Sequence, residues 1–96
     1  MSSLKAENTA LKNLLANVSR NGSDIYIDGA NLHIRDGSGD TFGPVNGLGN
    51  LIIGYNELRG SNDNRTGSHN LILGKANNYA SYGGLVAGVS NEISGP

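Results

Sequence analysis

The amino-acid sequence predicts a mainly β protein: a homotrimeric parallel β-roll or β-solenoid preceded by a short parallel coiled-coil helix. Three observations carry this expectation. An aliphatic triplet closed by glycine is written three times, as Leu51-Ile52-Ile53-Gly54, Leu71-Ile72-Leu73-Gly74 and Leu85-Val86-Ala87-Gly88. The chain holds 15 glycines and 14 asparagines but one Phe and no Trp, so large side chains are too few for a conventional core. Leucines near the start recur at heptad spacing.

The triplets come first, because an internal repeat decides architecture before other signals do. Each is preceded by Asn or Gly (Asn50, Asn70, Gly84) and followed, two or three residues past the closing glycine, by Asn56, Asn77 or Asn91. The closing glycines are 20 and then 14 residues apart, and the polar stretch Arg59–Asn64 supplies most of the difference. Stacked coils with one inserted loop produce such spacing. Glycine permits left-handed backbone at the corners, and Asn tolerates it while satisfying turn backbone with its amide. Asn side chains at equivalent positions are expected to form ladders.

Three segments follow from this pattern: 1–21 as the end of a coiled-coil stalk, 22–46 as short strands and a Gly-rich connector, and 47–96 as β-roll repeats. In the first, Leu4, Leu11 and Val18 take heptad position a, and Glu7, Leu14 and Asn21 take d, over a helix spanning 4–20. Ser3 is a candidate N-cap and Gly22 a stop. A lone amphipathic helix lying on its own domain is the alternative, but the rest of the chain offers no large apolar face to receive it. In the second, Ile25 and Ile27, then Leu32 and Ile34, alternate with polar residues around Gly29-Ala30, which reads as two strands joined by a turn. Residues 36–50 should be loop. The last segment closes on Ser94-Gly95-Pro96 without a cap, so the natural chain is expected to continue.

Assembly is implied by the triplets themselves. Consecutive strand residues face opposite sides, so a run such as Leu51-Ile52-Ile53 is apolar on both faces. Only 12 Leu, Ile and Val side chains serve residues 47–95, too few for one chain to order them alone. One face then lines the chain's own coil and the other a neighbour. The trimer core is expected to hold Leu4, Leu11, Leu14 and Val18 from the helix, with Leu51, Ile53, Leu71, Leu73 and Leu85 from the triplets.

Bulk composition excludes several functions. A net charge of −1 and a pI near 6.0 give no basic field for nucleic acid or an anionic membrane. The chain has no cysteine, which removes disulfides and thiolate metal sites. No stretch of 18 apolar residues reads as a membrane span. Residues 1–20 lack signal-peptide character, so an export signal is expected outside this segment.

With helix, short strands and Gly/Asn-rich coils in view, Gly67-Ser68-His69-Asn70-Leu71-Ile72-Leu73-Gly74 and Tyr82-Gly83-Gly84-Leu85-Val86-Ala87-Gly88 resemble coils of the left-handed parallel β-roll. That fold forms the heads of trimeric bacterial surface adhesins and related phage tail-fibre modules. Val18–Arg20, Val45–Glu57, Arg65–Asn70 and Ser81–Gly88 are also similar to a block found in uncharacterised exported bacterial proteins. The resemblance implies a homotrimeric fibre at the cell surface or on a virion tail, structural and adhesive in role. A receptor- or glycan-binding tail-fibre tip, and a self-assembling extracellular filament subunit, are the alternatives. It carries over no assigned chemistry.

Side chains capable of chemistry are scattered. The two histidines, His33 and His69, have no cysteine to assist them; His69 reads as a packing or hydrogen-bonding residue, and only three copies around a threefold axis would make it an ion site. Asp36-Gly37-Ser38-Gly39-Asp40 departs from calcium-loop patterns and reads as an exposed turn. No residue set satisfies a catalytic constellation, so neither enzyme activity nor a cofactor is expected. If the chain grips a surface glycan or protein receptor, the inserted loop with Arg59, Asp63 and Arg65 is the candidate, since recognition usually sits on loops carried by a rigid scaffold. Tyr55, Tyr79 and Tyr82 are expected to cap the apolar interior rather than to stack on sugar rings.

Overall fold

The computed structural model describes residues 2–94. Among these it has one helix, α1 (Ser2–Leu14), and seven short strands: β1 (Val18–Asn21), β2 (Asp24–Ile27), β3 (Leu51–Ile53), β4 (Leu71–Lys75), β5 (Asn78–Tyr79), β6 (Leu85–Val89) and β7 (Glu92–Ile93). They belong to two compact units, Met1–Leu32 and His33–Pro96. Among the described residues no helix is long and apolar enough to cross a membrane. Gly95 and Pro96 of the expected closing turn lie outside the described residues.

In the first unit, α1 ends at Leu14, six residues earlier than the heptads predict. Val18 therefore leaves the helix, and the expected heptad position becomes the first residue of β1. The reason is local. Gly22-Ser23 forms a two-residue turn with Gly22 at φ 61°, and it folds Val18–Asn21 back onto Asp24–Ile27 in antiparallel register. Val18 pairs with Ile27 and Arg20 with Ile25, so Val18, Ile25 and Ile27 share one face. The glycine read as a helix stop is thus a hairpin turn, and β-branched Val18 suits the strand it joins. Asn17 extends the hairpin: its carbonyl accepts from the Asp28 N–H (2.9 Å) and its side-chain amide donates to the Asp28 carbonyl (2.7 Å). Leu4, Leu11 and Leu14 remain exposed along α1. The strand expected around Leu32 and Ile34 does not form.

In the second unit the three triplets lie side by side. β3, β4 and β6 form a parallel sheet in which Leu51, Leu71 and Leu85 are in register, as are Ile52, Ile72 and Val86, and Ile53, Leu73 and Ala87. β5 and β7 pair in parallel as a separate two-stranded sheet. Because side chains alternate, the middle residue of each triplet points to one face and the flanking residues to the other. Ile72 and Val86 are buried with Tyr79, and Ile93 packs against them. The flanking row is left outside: Ile53 is 56% exposed and Leu85 63%.

These arrangements correct the expected fold class. The strands make three separate sheets of two, three and two strands, and among the described residues there is no closed solenoid and no long parallel β-roll. The molecule is mixed α/β. The physical reason lies in the connection between β3 and β4, where residues 54–70 contain no strand. That stretch meets β5 through separate bonds rather than a ladder: the Tyr79 N–H donates to the Asn64 carbonyl (2.8 Å), the Gly67 N–H to the Tyr79 carbonyl (2.8 Å), the Asn78 amide to the Asn62 carbonyl (2.8 Å), the Asn56 amide to the Tyr79 hydroxyl (3.1 Å), and the Asn64 N–H to Oδ1 of Asn78 (3.1 Å). A strand there would have continued the β5–β7 sheet. The inserted polar residues take its place.

Replacing Ile72, fully buried between Tyr79 and Val86, by Ala should cost about 2–5 kcal/mol of stability by the cavity it leaves. Urea denaturation followed by circular dichroism measures this; a change below about 1 kcal/mol would mean the column of middle residues is not the core.

Candidate functional site

Each triplet is approached through a corner. The residue two places before it has left-handed backbone: Gly49 (φ 75°), His69 (φ 58°) and Gly83 (φ 67°). Two of the three are glycine, for which this conformation carries no steric cost. His69 is the exception.

Asparagine side chains lock these corners. Oδ1 of Asn50 accepts the Asn70 N–H (3.0 Å), and Oδ1 of Asn70 accepts the Gly84 N–H (2.9 Å). Their amide groups donate to the carbonyls of Gly67 (2.9 Å) and Ser81 (3.0 Å). At the other end of the strands, Oδ1 of Asn77 accepts the Asn91 N–H (2.8 Å), and its amide donates to Leu73 and Gly88 (each 3.1 Å). Asn70 and Asn77 are buried, so these bonds satisfy backbone groups that would otherwise be orphaned.

The His69 ring faces a half-open pocket of about 390 Å³ lined by Arg35, Asp36, Gly37, Gly39, Asp40 and Thr41. Its Nε2 accepts the Asp36 backbone N–H (3.1 Å), and its Nδ1 lies 3.2 Å from the Thr41 carbonyl. A carbonyl only accepts, so Nδ1 carries the proton, and Nε2 must be bare to accept from Asp36. Both bonds hold the same loop, residues 36–42. Oδ1 of Asp36 stands 3.7 Å from Nε2. The loop backbone also crosses closely over Gly49, where an added Cβ would lie 2.6 Å from the Asp36 nitrogen. Phe42, at the far end of the loop, rests against Tyr82 with ring centroids 5.2 Å apart at 60°.

Asp36 differs from the exposed turn its sequence suggests. It is 8% exposed, and its Oδ1 accepts both the backbone N–H (2.8 Å) and the hydroxyl (2.7 Å) of Ser38. Those two bonds, chiefly the backbone one, hold its carboxyl below the usual aspartate range, with the His69 ring adding a smaller pull. The sequence carried a signal for His69 itself, though none for its partner Asp36. Aligning Gly49-Asn50, His69-Asn70 and Gly83-Gly84 before the triplets marks His69 as the one bulky residue at a glycine corner.

The inserted loop is tied down rather than free-standing. Arg59 donates from Nε to the Ala76 carbonyl (3.0 Å) and from its terminal nitrogen to Ser90 (2.9 Å) and Asn91 (3.0 Å). Arg65 donates to the carbonyls of Asn77, Asn56 and Glu57. Asp63 accepts the Arg59 backbone N–H (2.8 Å) and closes the loop on itself. The three residues expected to project are thus brought together, with both guanidiniums spent on main-chain carbonyls of the neighbouring corners. The tyrosines divide: Tyr79 is in the core, Tyr82 is half-buried beside Phe42, and Tyr55 is 94% exposed. Among the described residues no group of three or more His, Asp or Glu side chains is gathered as a metal ion would need.

Comparison with protein-family models, with curated proteins and with solved structures finds no match. The likeness to surface-adhesin and tail-fibre modules rests on the sequence motifs alone.

A carboxyl whose folded pKa is lowered adds stability above its usual range and loses it as pH falls through the lowered value. The Ser38 amide should therefore stay protected from exchange at neutral pH and down to about pH 4, then lose protection below that. Asp36→Asn should abolish this acid step, as read by an NMR titration of the Ser38 amide. An unchanged titration in the variant would show that another carboxylate is responsible.

Proposed function

We propose that the chain is a non-enzymatic structural module of a fibrous surface appendage, assembled as a homotrimer. One observation carries the reading. The outer face of the β3–β4–β6 sheet is apolar in two continuous rows, Leu51, Leu71 and Leu85 beside Ile53, Leu73 and Ala87, and it has no covering layer within its own unit. Leu51, Ile53 and Leu85 are exposed on it, and Leu71 and Leu73 are half-buried. Contiguous apolar surface of this kind marks an interaction site. The two rows themselves contain no charge, so a second and third copy of the same face suit them.

The exposed stripe of α1, with Leu4, Leu11 and Leu14, offers a second apolar surface to the same assembly. The absence of a basic field in the composition speaks against nucleic acid as partner. A glycan- or receptor-gripping role draws no support from Arg59 and Arg65, whose guanidiniums already bind main-chain carbonyls.

The mass in solution tests the reading. Light scattering should give three times the 9.9 kDa of one chain. The paired change Ile53→Asp with Leu85→Asp should return the mass to a monomer while leaving the inward-facing Ile72 and Val86 in place. A monomeric native protein would refute the assembly, and a variant that stays trimeric would move the interface off this face.

A further inference from the structure

We propose that His69 is a proton-controlled clasp on the loop 36–42, switching its grip from the main chain of that loop to the Asp36 carboxylate when the ring is protonated. The first ground is where the histidine sits. Its backbone is left-handed at φ 58°, at a corner where the other two triplets use Gly49 and Gly83. A side chain kept in that conformation carries a steric cost that glycine would avoid, one that His69 shares with Asn56, Asn62, Ala76 and Ser90 among the described residues. What sets His69 apart is that both its ring nitrogens bind one loop, at its start through Asp36 and near its end through Thr41.

The second ground is the direction of those two bonds. The Asp36 N–H can only donate and the Thr41 carbonyl can only accept, so the arrangement exists only for the neutral ring with its proton on Nδ1. A proton taken up from solvent must go to Nε2. There it opposes the Asp36 N–H donor to donor and breaks that bond, while the Nδ1–H bond to Thr41 survives. The new N–H⁺ stands 3.7 Å from Oδ1 of Asp36, so a short shift of the loop replaces the lost bond by a charge-assisted one.

The charged groups around the ring fit this reading. Asp36, Asp40 and Arg35 are the charged side chains that line the pocket with the ring, and Oδ1 of Asp36 stands nearest to Nε2 at 3.7 Å. Oδ1 of Asp36 already accepts twice from Ser38, so the imidazolium has to compete for it and the Ser38 turn must adjust. Of the side-chain types lining the pocket, imidazole is the one that changes charge near neutral pH. The Phe42–Tyr82 contact anchors the far end of the loop, so the movement is concentrated at residues 36–40.

The test uses the whole ¹⁵N-labelled chain. Long-range ¹H–¹⁵N correlation should find the proton of the His69 ring on Nδ1 at pH 8. On stepping to pH 5 the ring should carry both protons, and the Asp36 amide should exchange about tenfold faster than its intrinsic rate change allows, as one hydrogen bond is lost. His69→Gly should keep the protection of the β3–β4–β6 amides, because glycine suits the corner, and should lose the pH step at Asp36. An Nε2–H ring at pH 8, equal Asp36 protection at both pH values, or a pH step that persists in His69→Gly would each overturn the clasp. The tautomer measurement needs no variant, so the proposal is decided even if His69→Gly does not fold.

Discussion

Everything in the larger unit depends on three parallel strands being stacked without a residue of slip. A shift of one position would turn the buried middle residues Ile72 and Val86 outward and bring their flanking leucines in. Hydrophobicity alone would not prevent this, since the triplets are apolar throughout. The register is held by asparagine. Asn70, with one side chain, receives the Gly84 N–H and reaches the Ser81 carbonyl, and Asn50 and Asn77 do the same for their neighbours. Each amide is both donor and acceptor at a fixed separation, so a slipped strand would leave buried polar groups unpaired.

Close packing of backbone reinforces that register. Gly74 lies directly over Gly88, where a Cβ would collide with the Gly88 carbonyl, so no other residue fits at the end of β4. The corners can then be tight, and a residue such as His69 can be held at one of them in backbone geometry that favours glycine. Arg59 and Arg65 work in the same frame. Carbonyls at the corners point outward without a strand to receive them, and the two guanidiniums of the inserted loop bind them instead. An insertion that lengthens the spacing between the first two triplets also secures the second and third.

The apolar side chains around the three triplets serve two main uses. The inner column of Ile72, Val86, Tyr79 and Ile93 stabilises the single chain. The outer rows on the same strands stay uncovered within their own unit and are what the proposed assembly would bury. His69 belongs to neither use. It secures the loop 36–42 against the corner through bonds that depend on which ring nitrogen holds the proton.

Much of the local chemistry was legible in the sequence: the triplets, the glycine corners, the asparagines beside them and the alternation at Ile25 and Ile27 are all visible as spacing. The end of the helix was not, because Val18 and Asn21 satisfy a heptad and a hairpin equally well, and pairing with Asp24–Ile27 decided between them. Nor was the fold class. Strand-like spacing does not say whether the polar stretch before β4 will complete a second sheet, and it instead forms a loop that leaves the sheets small and unclosed. Contact between Asp36 and His69, 33 residues apart, lay beyond any periodicity. By itself the sequence determined which residues favour strand, corner and turn, since those preferences arise from backbone sterics and short-range hydrogen bonds. Only the tertiary structure decided which strands meet, how far the sheets extend and what the loops grip, because those depend on bonds between residues distant along the chain.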